Sequence, residues 1–296
     1  MDDILKKALA RSAREKGDAP RPSKAAEPEL ISGNKQVVTS ASKTTVIEKA
    51  AIRKKCLSGS EEMPPSVRLG KAVSRTAKVE IDPLVLDEHK IVYDCRDNPH
   101  TDRVKILRTQ LLQRLLQEGG NSVLFTSARP GEGKTVNAIN TAISIAQEVE
   151  RTVLLIDANL RQPAIHKYLG LEEGLGLADY LLGKAEMGDI LVNPGIEKLT
   201  LLPGGRPLAT SSEMLGATRM ADLVGEMKHR YDDRILVFDG PDILTNADAL
   251  VFSRLVDGVV LVVEAEKTPR RDIEQALGRL DKNTKLLGTI FNRCHE

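Results

Sequence analysis

The sequence predicts a doubly wound α/β domain, a mostly parallel sheet with helices on both faces, over about 97–296, preceded by a basic arm. Three observations carry this. Six short β-branched or leucine-rich runs alternate with helical stretches after Pro99, all eight aromatic residues lie at or beyond Tyr93, and one strand-to-helix turn is rich in glycine. Runs that are apolar on both faces and separated by helices are what a parallel sheet buried between two helical layers requires.

The arm comes first in the chain. Residues 1–80 hold 17 Lys+Arg against 10 Asp+Glu, so the overall charge of +1 conceals a net +7 arm and a net −6 remainder. With five prolines and no aromatic, such a segment cannot bury enough apolar surface to offset its ordering entropy, and residues 1–96 are expected to be largely disordered. Within it, Ile4, Leu5, Ala8 and Leu9 recur at helical spacing among Lys6, Lys7, Arg11 and Arg14, which predicts a short helix over 1–16. Its apolar face is too small to anchor firmly on its own.

The domain opens with a helical stripe, Val104, Leu107, Leu111, Leu112, Leu115 and Leu116, closed by Gly119-Gly120. The expected strands are Ser122 to Thr126, Thr152 to Ile156, Leu199 to Leu202, Arg234 to Phe238, Gly258 to Val263 and Leu286 to Phe291. Cys56, Cys95 and Cys294 lie far apart and form no Cys-x-x-Cys pair, so neither a disulfide framework nor a zinc site is indicated. The five histidines have no metal-ligand spacing. No apolar run approaches the ~20 residues of a membrane helix, and a reducing cytoplasm is the expected compartment.

The strongest chemical signal is Ser127-Ala128-Arg129-Pro130-Gly131-Glu132-Gly133-Lys134-Thr135, directly after a strand and opening a helix that runs to about Glu150. This is the pattern of a phosphate loop, and the domain is read as a P-loop NTPase. Residues Arg129 to Thr135 would wrap the phosphates of ATP, Lys134 would reach the β and γ phosphates, and the Thr135 hydroxyl would ligate Mg²⁺. Ala128 stands where the first glycine usually does, which the loop accepts if φ stays negative there. Asp157 and Asp239 each end an apolar strand, and parallel topology would bring both carboxylates to the same crevice, beside the metal and γ-phosphate.

The phosphate loop, with Leu154-Leu155-Ile156-Asp157-Ala158-Asn159-Leu160-Arg161-Gln162-Pro163, Leu201-Leu202-Pro203-Gly204-Gly205, Ser212-Glu213-Met214-Leu215 and Val237-Phe238-Asp239-Gly240-Pro241, resembles the bacterial tyrosine kinases of capsule and exopolysaccharide export. The resemblance covers roughly 97–293. Val79-Glu80-Ile81-Asp82-Pro83-Leu84 is similar to the branch found in exosortase-associated clusters. The resemblance implies that Lys134 and Thr135 bind MgATP, that Asp157 activates a tyrosine hydroxyl or holds the metal, and that Asp239 completes the metal site. It also implies that Asn292-Arg293 lie at the adenine, and that Asp102-x-x-Lys105-x-x-Arg108 contributes to a homo-oligomer. The implied partner is a separate inner-membrane chain-length regulator that draws the cytoplasmic protein to the membrane surface.

Two departures bear on activity. Asn159 replaces the family's second acid, keeping an oxygen ligand without its charge, and no tyrosine follows Tyr231. Autophosphorylation on a C-terminal tyrosine cluster is therefore not expected, and Tyr93, read as lying in the flexible segment, is the preferred internal acceptor. Two other functions fit the same motifs: an ATPase switch of the partitioning and division-site-placing type, and a catalytically attenuated nucleotide-binding regulator. The former normally carries a lysine early in the phosphate loop, where this chain has Ala128 and Arg129.

Overall fold

The computed structural model describes residues 77–93, 99–117 and 119–294. The expected helix over 1–16 lies outside the described residues. Among these, the elements run β1 (Ala77–Lys78), α1 (Pro83–Glu88), α2 (Pro99–Gln117), β2 (Ser122–Ser127), α3 (Lys134–Ala146), β3 (Thr152–Asp157), α4 (Ile165–Tyr168), α5 (Leu177–Leu181) and α6 (Met187–Ile190). There follow β4 (Val192–Asn193), β5 (Leu199–Leu202), α7 (Ser211–Leu215), α8 (Thr218–His229), β6 (Arg234–Asp239), α9 (Asp248–Phe252), β7 (Gly258–Glu264), α10 (Arg270–Arg279) and β8 (Leu286–Asn292).

The eight described strands form one sheet in the order β1-β4-β5-β3-β6-β2-β7-β8. Every pairing is parallel except β4 with β5. All six expected strands are present. The register sets Asp157 beside Asp239 and Phe125 beside Asp239. Because β6 lies between β3 and β2, its C-terminal end is flanked by both other motif-bearing strands. The chain leaves β2 in one direction to β3 and β5, then returns through β6 to cross to β7, which opens a crevice at the C-terminal strand ends.

Alternating side chains divide the core between the two faces. Val123, Phe125, Val153, Leu155, Ile235 and Val237 pack with Leu111, Leu112 and Leu115 of α2 and with Ala138, Ile139, Ala142 and Ile143 of α3. Leu124, Leu154, Ile156, Leu236 and Phe238 face the other way, against Leu181, Met220, Leu223, Val224, Met227 and Phe252. Leu116, read as the end of the α2 stripe, faces solvent.

The boundary expected at 96 is corrected by residues 77–93, which belong to the folded domain. Asp82 caps α1 by accepting the Leu84 N–H at 2.8 Å, and Leu86 and Ile91 are buried in the same cluster as α2 and α3. The Asn140 side chain clasps the following segment, accepting from Val92 N at 2.8 Å and donating to the Lys90 carbonyl at 3.1 Å. Composition averaged over the basic arm conceals this, because two buried aliphatics among charged neighbours leave the window polar. Tyr93 consequently is half-buried against the core rather than free.

Candidate active site

Gly131 and Gly133 have φ of +83° and +95°, a backbone region that disfavours any side chain, and this turns the loop after β2 into the N-terminus of α3. Ala128 is absent from the positive-φ residues, and its buried methyl packs with Ile243, Ala249, Leu261 and Val263. The substitution that departs from the usual pattern is thus a packing position.

Thr135 and Asp239 meet at the helix start. The Thr135 hydroxyl donates to Asp239 Oδ2 at 2.7 Å, while Asp239 Oδ1 is buried and has no hydrogen-bond partner among the described residues. Burial raises the Asp239 pKa, and the nearby Lys134 ammonium and the Thr135 bond pull against that rise. Lys134 itself is half-buried, and its ammonium acts on the Asp239 carboxylate through its charge. An unpartnered carboxylate oxygen, a hydroxyl and an ammonium at a helix N-terminus suit a divalent cation with a polyphosphate: the cation takes the oxygens, and the amide groups and lysine take the anion.

Asp157 is arranged differently. Its Oδ1 accepts from Asn159 N at 3.2 Å, and its Oδ2 accepts from Ala164 N at 2.8 Å and Ile165 N at 3.0 Å. The carboxylate therefore organises the loop from Ala158 to Ala164, the segment that carries Asn159 and Arg161. Full burial, then the neighbouring Asp239 charge, push its pKa up to about 7, against the pull of those three N–H groups. A carboxyl poised near neutrality is suited to accepting a proton. Behind it lies Gly204, where an added Cβ would come within 2.9 Å of Pro163 Cβ and 3.3 Å of Asp157 Cγ. A side chain at Gly204 would be wedged between Pro163 and the acid.

Other expected site residues brace the phosphate loop from within the chain. Glu132 is buried, accepts Arg129 N at 3.1 Å and accepts the Thr268 hydroxyl. The Arg129 guanidinium pairs with Asp272 of α10. Asn292 donates its amide to the Glu132 carbonyl at 2.9 Å, and Arg293 pairs with Glu264 at 2.9 Å. One donor each of Asn292 and Arg293, expected at an adenine, is engaged with a protein atom, and Pro130 precedes the glycine turn. Sequence reasoning missed Thr268 and Asp272, which come from a different strand-helix unit and carry no local signature.

The residues expected at an oligomer contact part company. Asp102 and Lys105 form an exposed i,i+3 pair at 3.6 Å. Arg108 instead turns inward, 3.0 Å from Glu148 Oε1 and donating to the Ser144 carbonyl at 3.0 Å, so it ties α2 to α3 of the same chain. Sequence spacing showed a shared helix face but not that the helix rolls this end of it onto its neighbour.

No family model matches the chain. It is 35% identical over 194 residues to the tyrosine-protein kinase YwqD of Bacillus subtilis, covering 65% of this chain and 81% of that protein. It is 32% identical over 181 residues to the tyrosine-protein kinase CpsD of Streptococcus agalactiae, covering 60% and 77% of the two chains. Against the tyrosine-protein kinase Wzc of Salmonella typhimurium, 31% identity extends over 64% of this chain but only 26% of that larger protein. Among solved structures, the kinase domain of Escherichia coli tyrosine kinase ETK superposes with a TM-score of 0.64 at 27% identity, over 74% of this chain and 89% of that one. The VpsO kinase domain gives 0.60 at 28% identity, over 66% and 97%. With 35% identity over four-fifths of one such kinase, the chain belongs to the bacterial tyrosine-protein kinases.

Proposed function

We propose that the chain transfers the γ-phosphoryl group of ATP to protein tyrosine hydroxyls, using Mg²⁺, in the control of exopolysaccharide or capsule chain length or export. The observation that carries the chemistry is the buried, unpartnered Oδ1 of Asp239 beside Thr135. Asp239 and Thr135 would hold the metal. Mg²⁺ when bound supplies charge neutralisation across the β and γ phosphate oxygens.

The chain's own groups do the rest. Residues Arg129 to Thr135 wrap the phosphates, with the N–H groups of the glycine turn and the first turn of α3 directed at them, and Lys134 draws off negative charge from the transferring group. Asp157 takes the phenolic proton; an unperturbed tyrosine titrates near 10, so a fixed base beside it assists its attack. Asn292 supports the nucleotide through the loop it braces, with Arg293 beside it on Glu264. The separate inner-membrane partner and the peripheral membrane location rest on the family resemblance; among the described residues no helix is long and apolar enough to cross a membrane.

The test is [γ-³²P]ATP labelling with phosphotyrosine detection, on the chain itself and on a Glu/Tyr copolymer, for wild type, Lys134→Met and Asp157→Ala. Labelling that is abolished by Lys134→Met and depressed by Asp157→Ala is expected, whereas equal labelling of all three would overturn the roles assigned. ATP hydrolysis with ATP-dependent DNA or liposome binding and no phosphotyrosine would favour the switch ATPase instead. Against that alternative, Arg129 is paired with Asp272 of its own chain rather than free to reach another.

A further inference from the structure

The four tyrosines differ sharply in their surroundings. Tyr93 and Tyr168 are half-buried against the core, Tyr168 with its ring 5.0 Å from that of His89, and Tyr180 is half-buried under the Arg219 guanidinium at 4.6 Å. Tyr231 alone is exposed, at 42%, in the turn between α8 and β6. It lines a groove of about 210 Å³ together with Arg230, Arg234, Tyr180, Met187 and Met227.

Two arginines flank that ring, with Glu226 also on the groove wall. The Arg234 guanidinium stacks 4.0 Å from the Tyr231 centroid and that of Arg230 lies 5.9 Å away. Arg234 Nε is buried and has no hydrogen-bond partner among the described residues. A buried guanidinium donor without an acceptor is costly, and an anion beside it would remove that cost. Asp232 and Asp233 follow Tyr231 in sequence, and Arg230 is drawn toward Glu226 through one guanidinium nitrogen at 3.0 Å, whereas Arg234 makes no such pair among the described residues.

We infer that Tyr231 is a phosphoacceptor of this kinase, phosphorylated by a second copy of the chain, with Arg234 positioned to receive the phosphate. The inference rests on the phosphotransfer reading above. The phenolic oxygen of Tyr231 bonds to the γ-phosphorus of ATP held by the acting copy, and the bond from that phosphorus to the β–γ bridging oxygen breaks. ADP leaves with the bonding pair, and the phenolic proton passes to Asp157 of the acting copy and then to solvent. The phosphate so placed carries about −1.5 to −2 charge and three acceptor oxygens, which suits the open Arg234 donor.

A second copy is required by the topology. Tyr231 precedes the first residue of β6 and Asp239 is its last, and six extended residues span roughly 20 Å. The strand is fixed in the centre of the sheet, so a chain cannot carry its own Tyr231 to its own phosphate loop. Transfer must be between molecules.

The experiment mixes wild type with a tagged Lys134→Met chain, MgATP and a free tyrosine peptide, and maps phosphotyrosine by mass spectrometry. Phosphate on Tyr231 of the tagged chain, with a labelling rate that rises with wild-type concentration and falls at least tenfold in a tagged Lys134→Met/Tyr231→Phe chain, supports the inference. Phosphate confined to Tyr93, Tyr168 or Tyr180 overturns it. Phosphorylation of the free peptide with none on the tagged chain overturns it while leaving the kinase reading intact; no transfer to either overturns both. A readout independent of ATP is tetranitromethane nitration of the Lys134→Met chain: Tyr231 is expected to react first, and prior reaction of any other tyrosine would count against it.

Discussion

Thr135 donates a 2.7 Å hydrogen bond to one carboxylate oxygen of Asp239 and leaves the other buried without a partner. The two residues come from different motifs 104 positions apart and are joined because β6 lies directly beside β2. Asp239→Asn keeps the shape and removes the charge that burial opposes. It is expected to leave the melting temperature of the nucleotide-free protein unchanged or raised, while lowering tyrosine phosphorylation by about 10²–10³. Thermal denaturation with and without MgATP checks both halves, and a large loss of stability without nucleotide would show that Asp239 is structural.

Gly133 is constrained twice. Its φ is +95°, and a Cβ there would lie 1.9 Å from Asn292 Nδ2. Gly133→Ala should therefore cost about 1–3 kcal/mol from the backbone alone, with a further loss from displacing Asn292 off the Glu132 carbonyl. Adding Asn292→Gly should recover the second part and not the first. A double-mutant cycle by urea unfolding measures the coupling, and simple additivity of the two changes would contradict the contact.

Arg108 ties α2 to α3 through Glu148 and the Ser144 carbonyl. Its replacement by Ala should destabilise the domain by about 1–2 kcal/mol, since a partly buried arginine contributes its hydrogen bond to Ser144, its ion pair with Glu148 and stem packing. Lys105→Ala, in the exposed pair with Asp102, should cost less than about 0.5 kcal/mol. If instead Lys105→Ala and Arg108→Ala change association by sedimentation without altering stability, both residues act between subunits.

Sequence patterning carried the central sheet because β2, β3, β6 and β7 are buried on both faces and read as unbroken apolar runs. The short strands Ala77–Lys78 and Val192–Asn193 escaped, since two residues at a sheet edge leave no periodicity. In the site, Lys134, Thr135, Asp157 and Asp239 were legible from local motifs. What Asp157 does with its oxygens was not, because its partners Ala164 and Ile165 are backbone donors seven and eight residues on, and any sequence could supply them. Asp272 and Thr268 were hidden for a related reason: their role exists only once α10 packs against the phosphate loop.

Leu86 tests how firmly the segment before α2 is joined to the domain. It is buried in the cluster that contains Leu111, Leu115 and Ile143, so Leu86→Ala should destabilise by about 2–5 kcal/mol. A change under 0.5 kcal/mol in chemical unfolding would place the domain boundary after this segment. Asn140→Ala, which removes both clasps on Lys90 and Val92, should weaken protection of residues 84–92 in hydrogen exchange before it affects the sheet.

Asp257 supplies the pH dependence. Burial raises its pKa, but the Lys228 ammonium at 2.5 Å, the Ser122 hydroxyl and the Asn121 N–H together hold it below the usual carboxylate range. A depressed folded-state pKa means that the unfolded chain binds the proton first. The stabilisation is therefore complete above the ordinary aspartate range near 4 and is lost as pH falls through it toward the lower folded value. These bonds fasten the start of β2 to the turn before β7, at the end of the sheet remote from the phosphate loop. Asp257→Asn should lower the melting temperature at pH 7 and flatten its decline between about pH 5 and 3, with MgATP binding at pH 7 retained by the folded protein. An unchanged acid slope in the variant would remove Asp257 from the groups responsible.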